Sequence, residues 1–458
     1  MLRSSTFFRT LSMVALPIII QNLIINFLNL IDVVMIGQMG ETEVAAIGLA
    51  NQITFVLTLL LFGISSGAAI MSAQFWGKKE LDSIHCVIGI GLTIGLAGAV
   101  FFAIAVFSGS RGLLRLYTPD PAVITIGAGY LRTIAPTYLP MAVTIIFSHN
   151  LRSVGHLRLP MVVSGSALTL KTFLNYLLIF GNLGFPSLGV HGAALATLIA
   201  RLLECVALVL MVYWRRTPLA ARPGAFFNFN RAFFWSYIRI SFPLIINEIF
   251  WSLGITTYSA IYARISTESL AAVNILLTIE QLAFVIFAGV GVGTGIMVGN
   301  LIGENHEGEA YYFIRRAILL NLIGSLFIGG ILVAASGTIV TWYNISETAR
   351  QYALTLIRIS GMVLWIKATY IVVLMGAIRA GGDTRFGMIA DLATLWGVGI
   401  PLAIVAAFVF HLPVYWVYLM IVAEEFAKLG LFLWRFFSKK WINNLTSVPT
   451  GGVLRRVL

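Results

Sequence analysis

Charge is the scarcest commodity in this chain: 30 basic and 18 acidic residues among 458 make only 10%, against about 25% in a soluble domain. So few charges cannot clothe the three soluble domains that this length would suggest at about 150 residues each. A soluble enzyme is therefore excluded. Cysteine is nearly absent. Cys86 and Cys205 both lie in apolar stretches, which excludes a disulfide scaffold and a cysteine metal centre. The six histidines, His85, His149, His156, His191, His306 and His411, are scattered near expected helix ends without ligand spacing, so no metal is assigned. What the chain does have is 59% hydrophobic residues and a mean hydropathy of +0.94, which excludes disorder. Its apolar runs are continuous rather than alternating. They disfavour a β-barrel and predict an all-α integral membrane protein.

Twelve apolar stretches, the first at 11–36 and the last at 413–434, are separated by Gly, Pro or charge clusters and match the length of spanning helices. Arg3 and Arg9 before the first stretch imitate a signal peptide. That stretch, however, runs to about Ile36 through Pro17, Asn22, Asn26, Asn29 and Asp32 and lacks a convincing cleavage site, so it reads as the first spanning helix. With both termini cytoplasmic, twenty of the thirty Lys and Arg, Arg152, Arg379 and Arg385 among them, fall on inner segments. Only Arg111, Arg115, Arg264 and Arg350 fall on outer ones. This asymmetry orients a multi-pass protein of the inner (plasma) membrane. The net charge of +12 is mostly a topology signal and indicates no nucleic-acid partner.

A shift of 226 residues aligns 17–77 with 243–303 without a gap, with eleven of 61 positions identical. Pro17 meets Pro243, Gly63 meets Gly289, Gly67 meets Gly293, Met71 meets Met297 and Gly77 meets Gly303. A shift of 227 pairs Arg152, Gly155 and Arg158 with Arg379, Gly382 and Arg385. The chain thus reads as a duplicated six-helix unit: an N-terminal lobe at 1–214, a cytoplasmic linker at 215–235, a C-terminal lobe at 236–437 and a cytoplasmic tail at 438–458. An even number of helices per copy predicts two bundles related by a pseudo-two-fold axis along the membrane normal, the plan of an alternating-access transporter.

Ionisable residues at bilayer depth are costly and therefore functional candidates. Asp32 shares a helix face with Asn22, Asn26 and Asn29, at spacings of three and four. Glu248, beside Asn247 and five residues after Pro243, shares a face with Trp251 and Ser252; Glu280 and Gln281 lie inside the next stretch. A carboxylate beside an indole suits an organic cation. Lys171 is expected to approach Asp32, and Lys367 to approach Glu248 or Glu280, because such pairs offset the burial cost of both partners. Arg201 with Glu204, and Glu425 with Lys428, are expected as local ion pairs. Arg132 and Arg358 are expected to bond carbonyls at loop junctions, and Asp120 before Pro121 to cap a helix. The glycines of 289–303 lack the Lys and Ser/Thr of a nucleotide loop and read as close helix packing. No nucleophile, base and orienting acid assemble, so no enzyme is implied.

These residues bring a family into view. The stretch NLIDVVMIGQMG at 29–40, the run 45–51 with its repeat copy 271–280, LYTPDPAV at 116–123 followed by YLR at 130–132, and PSLGVHGAALAT at 186–197 together resemble the multidrug and toxic compound extrusion (MATE) family, over essentially the whole chain. The resemblance implies that Asp32 is the essential carboxylate of helix 1, that Asn175 is its polar partner on helix 5, and that Pro17 is where helix 1 bends. It implies a cation-coupled antiporter exporting hydrophobic, often cationic compounds, a small organic substrate being the partner besides the bilayer. No cofactor is expected, and a monomer is. Lys171 stands where some relatives have an amide, and Ala368 beside Lys367 where some carry an acid. A fixed ammonium there should compete with sodium, so a proton is favoured as coupling ion, with sodium the alternative. A flippase-like exporter of a lipid-linked metabolite is the alternative within transport, and a membrane-embedded receptor or enzyme the alternative outside it.

Overall fold

A computed structural model describes residues 4–447, and among these the ordered elements are helical with no strand. Twelve long helices follow one another: α1 Ser4–Gly37, α2 Glu41–Gly77, α3 Leu81–Arg115, α4 Pro121–Ser153, α5 Arg158–Phe180, α6 Gly189–Trp214, α7 Arg231–Ile265, α8 Thr267–Gly303, α9 Glu307–Thr341, α10 Glu347–Arg379, α11 Thr384–Val409 and α12 Val414–Phe437. The first eleven are long and apolar enough to cross a membrane. The twelfth carries Glu424, Glu425, Lys428 and Arg435, charges that a helix at bilayer depth tolerates only where partners are buried beside them. Large apolar side chains such as Phe101, Phe107, Leu210 and Phe327 are exposed along these helices, as a lipid-facing surface requires.

Local sequence sets the boundaries. Asp120 Oδ1 accepts the Ala122 N–H at 2.8 Å with Pro121 in the first turn of α4, as expected. Pro136, which has no N–H to donate, sits in a short 3₁₀ turn at Ala135–Thr137 that interrupts α4. Pro17 and Pro243 lie within helices that continue through them. The helix α10 ends in a π turn, Leu374–Arg379, and α11 contains two more, at Leu395–Gly399 and Val405–Val409. Such turns are rare and gather at functional sites.

The chain divides into two compact units. The N unit is Ile20–Ile245; the C unit is Ile246–Ser447 together with the N-terminal segment ending at Ile19. The division thus runs through α1 and α7, a few residues past Pro17 and Pro243. The segment 215–235 lies inside the N unit, where Phe226 is buried, the Pro218 carbonyl meets His85 Nε2 at 2.8 Å, and Cys86 donates to the Asn228 carbonyl. In the C unit, residues 438–447 fold back so that Trp441 is fully buried, stacked on Phe436, and Asn443 N–H bonds the Gly381 carbonyl. Both cysteines are free thiols.

The repeat glycines mark close approaches within each unit. A Cβ at Gly63 of α2 would lie 2.7 Å from Ile245 Cα, and one at Gly293 of α8 would lie 3.2 Å from Ala15 Cα. Each copy therefore uses glycine to bring its second helix against the first half of a proline-containing helix.

Candidate functional site

The N unit buries two carboxylates, Glu204 in a local pair with Arg201 on its own helix and Asp32, which draws its partners from a second helix. Asp32, 5% exposed on α1, receives Lys171 Nζ at 2.6 Å on Oδ2, and Asn175 Nδ2 at 2.9 Å on Oδ1, both from α5. Thr172 Oγ1 adds a long contact at 3.5 Å. Lys171, Thr172 and Asn175 are spaced so that one face of α5 presents an ammonium, a hydroxyl and an amide to the same acid. Lys171 and Asp32, expected to approach, are thus an ion pair. A cavity of about 740 Å³ lies beside it, lined in part by Ile31, Met35, Thr172 and Tyr176. Asn22 and Asn26 are half-buried and Asn29 is exposed, so the amides expected on the Asp32 face differ in environment. Gln21, one residue before Asn22, accepts from Arg152 Nη2 at 3.2 Å, and among the described residues Arg152 has no ion pair.

The C unit holds a denser set. Glu280 of α8 receives Lys367 Nζ at 3.1 and 3.2 Å, Tyr418 OH at 2.6 Å and the Ser360 hydroxyl. Of the two acids expected as partners for Lys367, Glu280 is the one it reaches. Glu248 pairs instead with Arg379 at 3.2 Å. Arg379 was expected among the orienting charges of an inner loop; the π turn extends α10 far enough to bury it. Lys428 also departs from expectation: it does not pair with Glu425 but reaches Asp391 at 3.0 Å and Glu424 at 2.5 Å. Asp391 further accepts from Asn247 Nδ2 at 3.0 Å, and Glu424 from the Tyr258 hydroxyl. The Glu425 Oε2 atom has no hydrogen-bond partner. Arg358 donates to the Ser336 hydroxyl rather than to a carbonyl, and Arg132 is exposed. Arg201 and Glu204 form the expected pair at 2.8 Å.

Trp251, Glu280 and Lys367 line a cavity of about 430 Å³ inside the C unit, together with Tyr262, Phe284 and Glu425. Glu248 is not in its wall. Asp391, Glu424, Tyr258 and Tyr418 are the participants that sequence reasoning passed over. Asp391 lies at the edge of its apolar stretch and resembles a helix-end residue; the helix in fact begins at Thr384, which carries Asp391 into its second turn. Among the described residues no group of three or more His, Cys, Asp and Glu could hold a metal ion.

Twelve long helices, two compact units and buried acid–base pairs at membrane depth define a multi-pass membrane protein of transporter type. The MatE family model matches residues 17–177 and 243–405, once on each copy of the repeat. The chain belongs to this family of multidrug efflux transporters, whose members are transporters rather than enzymes and need no cofactor. It is 25% identical over 433 residues to the probable multidrug resistance protein NorM of Thermotoga maritima, covering 93% of this chain and 91% of that protein. It is 24% identical over 432 residues to the uncharacterized transporter YisQ of Bacillus subtilis, 93% of each. Its fold is similar to that of MATE in the bent conformation, with a TM-score of 0.86 at 17% identity over 95% of this chain and 96% of that one.

Proposed function

We propose that the protein is a proton-coupled antiporter of the plasma membrane, with both termini cytoplasmic, that exports hydrophobic organic cations by alternating access between its two repeat halves. The observation that carries this reading is the Lys171 ammonium 2.6 Å from Asp32. Sodium at Asp32 would need several oxygen ligands and would have to displace that ammonium; a proton needs only one carboxylate oxygen. Proton uptake by Asp32 removes the negative charge that holds Lys171 and lets Asn175 rebond, so the α1–α5 contact loosens as the proton enters. Release restores the pair. Pro17 gives α1 a place to yield, because it breaks the backbone hydrogen-bond ladder one turn back. The resistance protein NorM of Thermotoga maritima supports the export direction by kinship. Trp251, Glu280 and Lys367 serve the substrate side of this reading.

The test is ethidium uptake into proteoliposomes under separately imposed proton and sodium gradients. Wild type should respond to the proton gradient alone. Asp32→Asn should lose transport almost completely while remaining folded, and Asp32→Asn transport at the wild-type rate along a proton gradient would sink the reading.

A further inference from the structure

The start of α9 carries chemistry that the transport reading leaves unused. Glu309, Tyr312 and Arg316 follow one another at spacings of three and four, so they share one helix face. The same face continues through Leu319, Ile323 and Phe327, all three exposed. A cavity of about 390 Å³ lies at the charged end of this face, lined by Glu309, Tyr312, Phe313 and Arg316 and by Phe7 from the first turns of α1. All of it belongs to the C unit. Phe7 meets Phe313 edge-on at 4.7 Å, and the Arg316 guanidinium lies over the rings of Tyr312 at 4.4 Å and Phe7 at 5.8 Å. Those rings hold the guanidinium in place while leaving donors free. Its Nη2 bonds the Tyr312 hydroxyl, its Nη1 has no acceptor, and neither Arg316 nor Glu309 has an ion pair among the described residues. The helix α9 has 35 residues and is therefore about 52 Å long, against about 30 Å of hydrocarbon. The excess of roughly 20 Å, shared between its ends, sets Glu309 and Tyr312 at headgroup depth, where tyrosine is favoured. Arg316 then stands at the boundary, and Leu319, Ile323 and Phe327 face the acyl chains.

We infer that this groove holds the headgroup of a membrane phospholipid carrying both a phosphate and a primary ammonium, in the leaflet where α1 begins. Arg316 takes the phosphate, for which a guanidinium fork is suited. Glu309 takes the ammonium, and the exposed stripe takes the acyl chains. The order of these groups carries the assignment. In such a lipid the ammonium lies outermost, the phosphate next and the chains innermost, and α9 presents an acid, an arginine and an apolar stripe in that sequence. A free phosphate would satisfy the arginine and leave the stripe unused; a lipid with a phosphate and no ammonium would leave Glu309 without a partner. The bound lipid also covers Phe7 and so ties the first turns of α1 to α9. None of this depends on the coupling ion or on the exported compound.

The test is native mass spectrometry of the detergent-solubilised full chain titrated with phosphatidylethanolamine, phosphatidylcholine and phosphatidylglycerol of identical acyl chains. Wild type should retain phosphatidylethanolamine most tightly. Arg316→Gln should weaken that retention on the order of tenfold, the worth of one charge-assisted hydrogen-bonded contact, and Glu309→Gln should erase the preference over phosphatidylcholine. Gly308→Leu gives a second route that leaves both charges in place. Gly308 borders the groove, and a Cβ there meets nothing within 4 Å, so this variant should fold with an unchanged melting temperature and exclude the lipid. Excess inorganic phosphate should not compete; displacement by it makes Arg316 a free-phosphate site and overturns the assignment to lipid. Wild type that retains phosphatidylcholine or phosphatidylglycerol as tightly as phosphatidylethanolamine overturns the inference, as does undiminished phosphatidylethanolamine retention in Arg316→Gln or in Gly308→Leu.

Discussion

The two units keep the same scaffold and differ in chemistry. In the N unit, Arg152 reaches Gln21 four residues after Pro17; in the C unit, its repeat mate Arg379 reaches Glu248 five residues after Pro243. An arginine from the end of α4 or α10 thus meets a proline-containing helix in both, but one partner is a neutral amide and the other an acid. The contrast extends to the lysines. Lys171 serves one acid, Asp32, helped by an amide, whereas Lys428 serves two, Asp391 and Glu424, and stands beside a third, Glu425. A lone acid with one removable partner is suited to exchanging a proton. A mesh in which Glu280, Asp391 and Glu424 are each held by two or three donors is suited to staying fixed.

That comparison can be broken most forcefully at function. Asp32→Asn should abolish proton-driven ethidium transport, while Glu280→Gln, which leaves the Tyr418 and Ser360 hydroxyls in place, should retain a large share of it. Equal losses would erase the division of labour. At the level of stability, Lys428→Met leaves Asp391 and Glu424 buried without a cation; Lys428 is only 3% exposed, so the loss should be about 3–5 kcal/mol. Lys171→Met should cost less, because Asp32 keeps Asn175 and the site is more open. Thermal melting of the two purified variants gives the order. Next come the arginines. Arg379→Gln strands Glu248 and should destabilise by about 3–5 kcal/mol. Arg152→Gln removes a cation that no acid compensates, so its melting temperature should be unchanged or slightly raised. A large loss in Arg152→Gln would reveal an acid partner that the geometry does not contain.

The twelve helices were legible because hydropathy alone sets where a chain can cross a bilayer. The Asp32–Lys171 and Glu280–Lys367 pairs were legible for a related reason: a charge inside an apolar run must find an opposite charge, and few are on offer. Lys428 shows where that logic stops. Glu425 and Glu424 stand three and four residues from it, both within reach on a helix, and only the arrival of Asp391 from α11 and Tyr258 from α7 decides which acid it takes. Periodicity along one helix carries no information about which residues a second helix brings. Arg379 reads as an inner-loop charge because it follows its apolar stretch, and the π turn that carries it inward has no sequence signature strong enough to anticipate.

The smallest effect expected is also the most local comparison between the repeats. Gly63 and Gly289 occupy equivalent positions and both forbid a side chain, yet what they touch differs. A Cβ at Gly63 meets the Ile245 backbone, with Cα at 2.7 Å and N at 2.9 Å, whereas one at Gly289 meets first the Ile19 side chain, with Ile19 Cα at 3.5 Å. A side chain can turn to another rotamer; a helix backbone can yield only by moving as a rod. Gly63→Ala should therefore cost about 1–3 kcal/mol through overpacking, and Gly289→Ala clearly less, read as the difference in melting temperature under one detergent. If Gly289→Ala proves as damaging as Gly63→Ala, Ile19 has no rotamer to retreat to, and the α1–α8 approach is as rigid as that between α2 and α7.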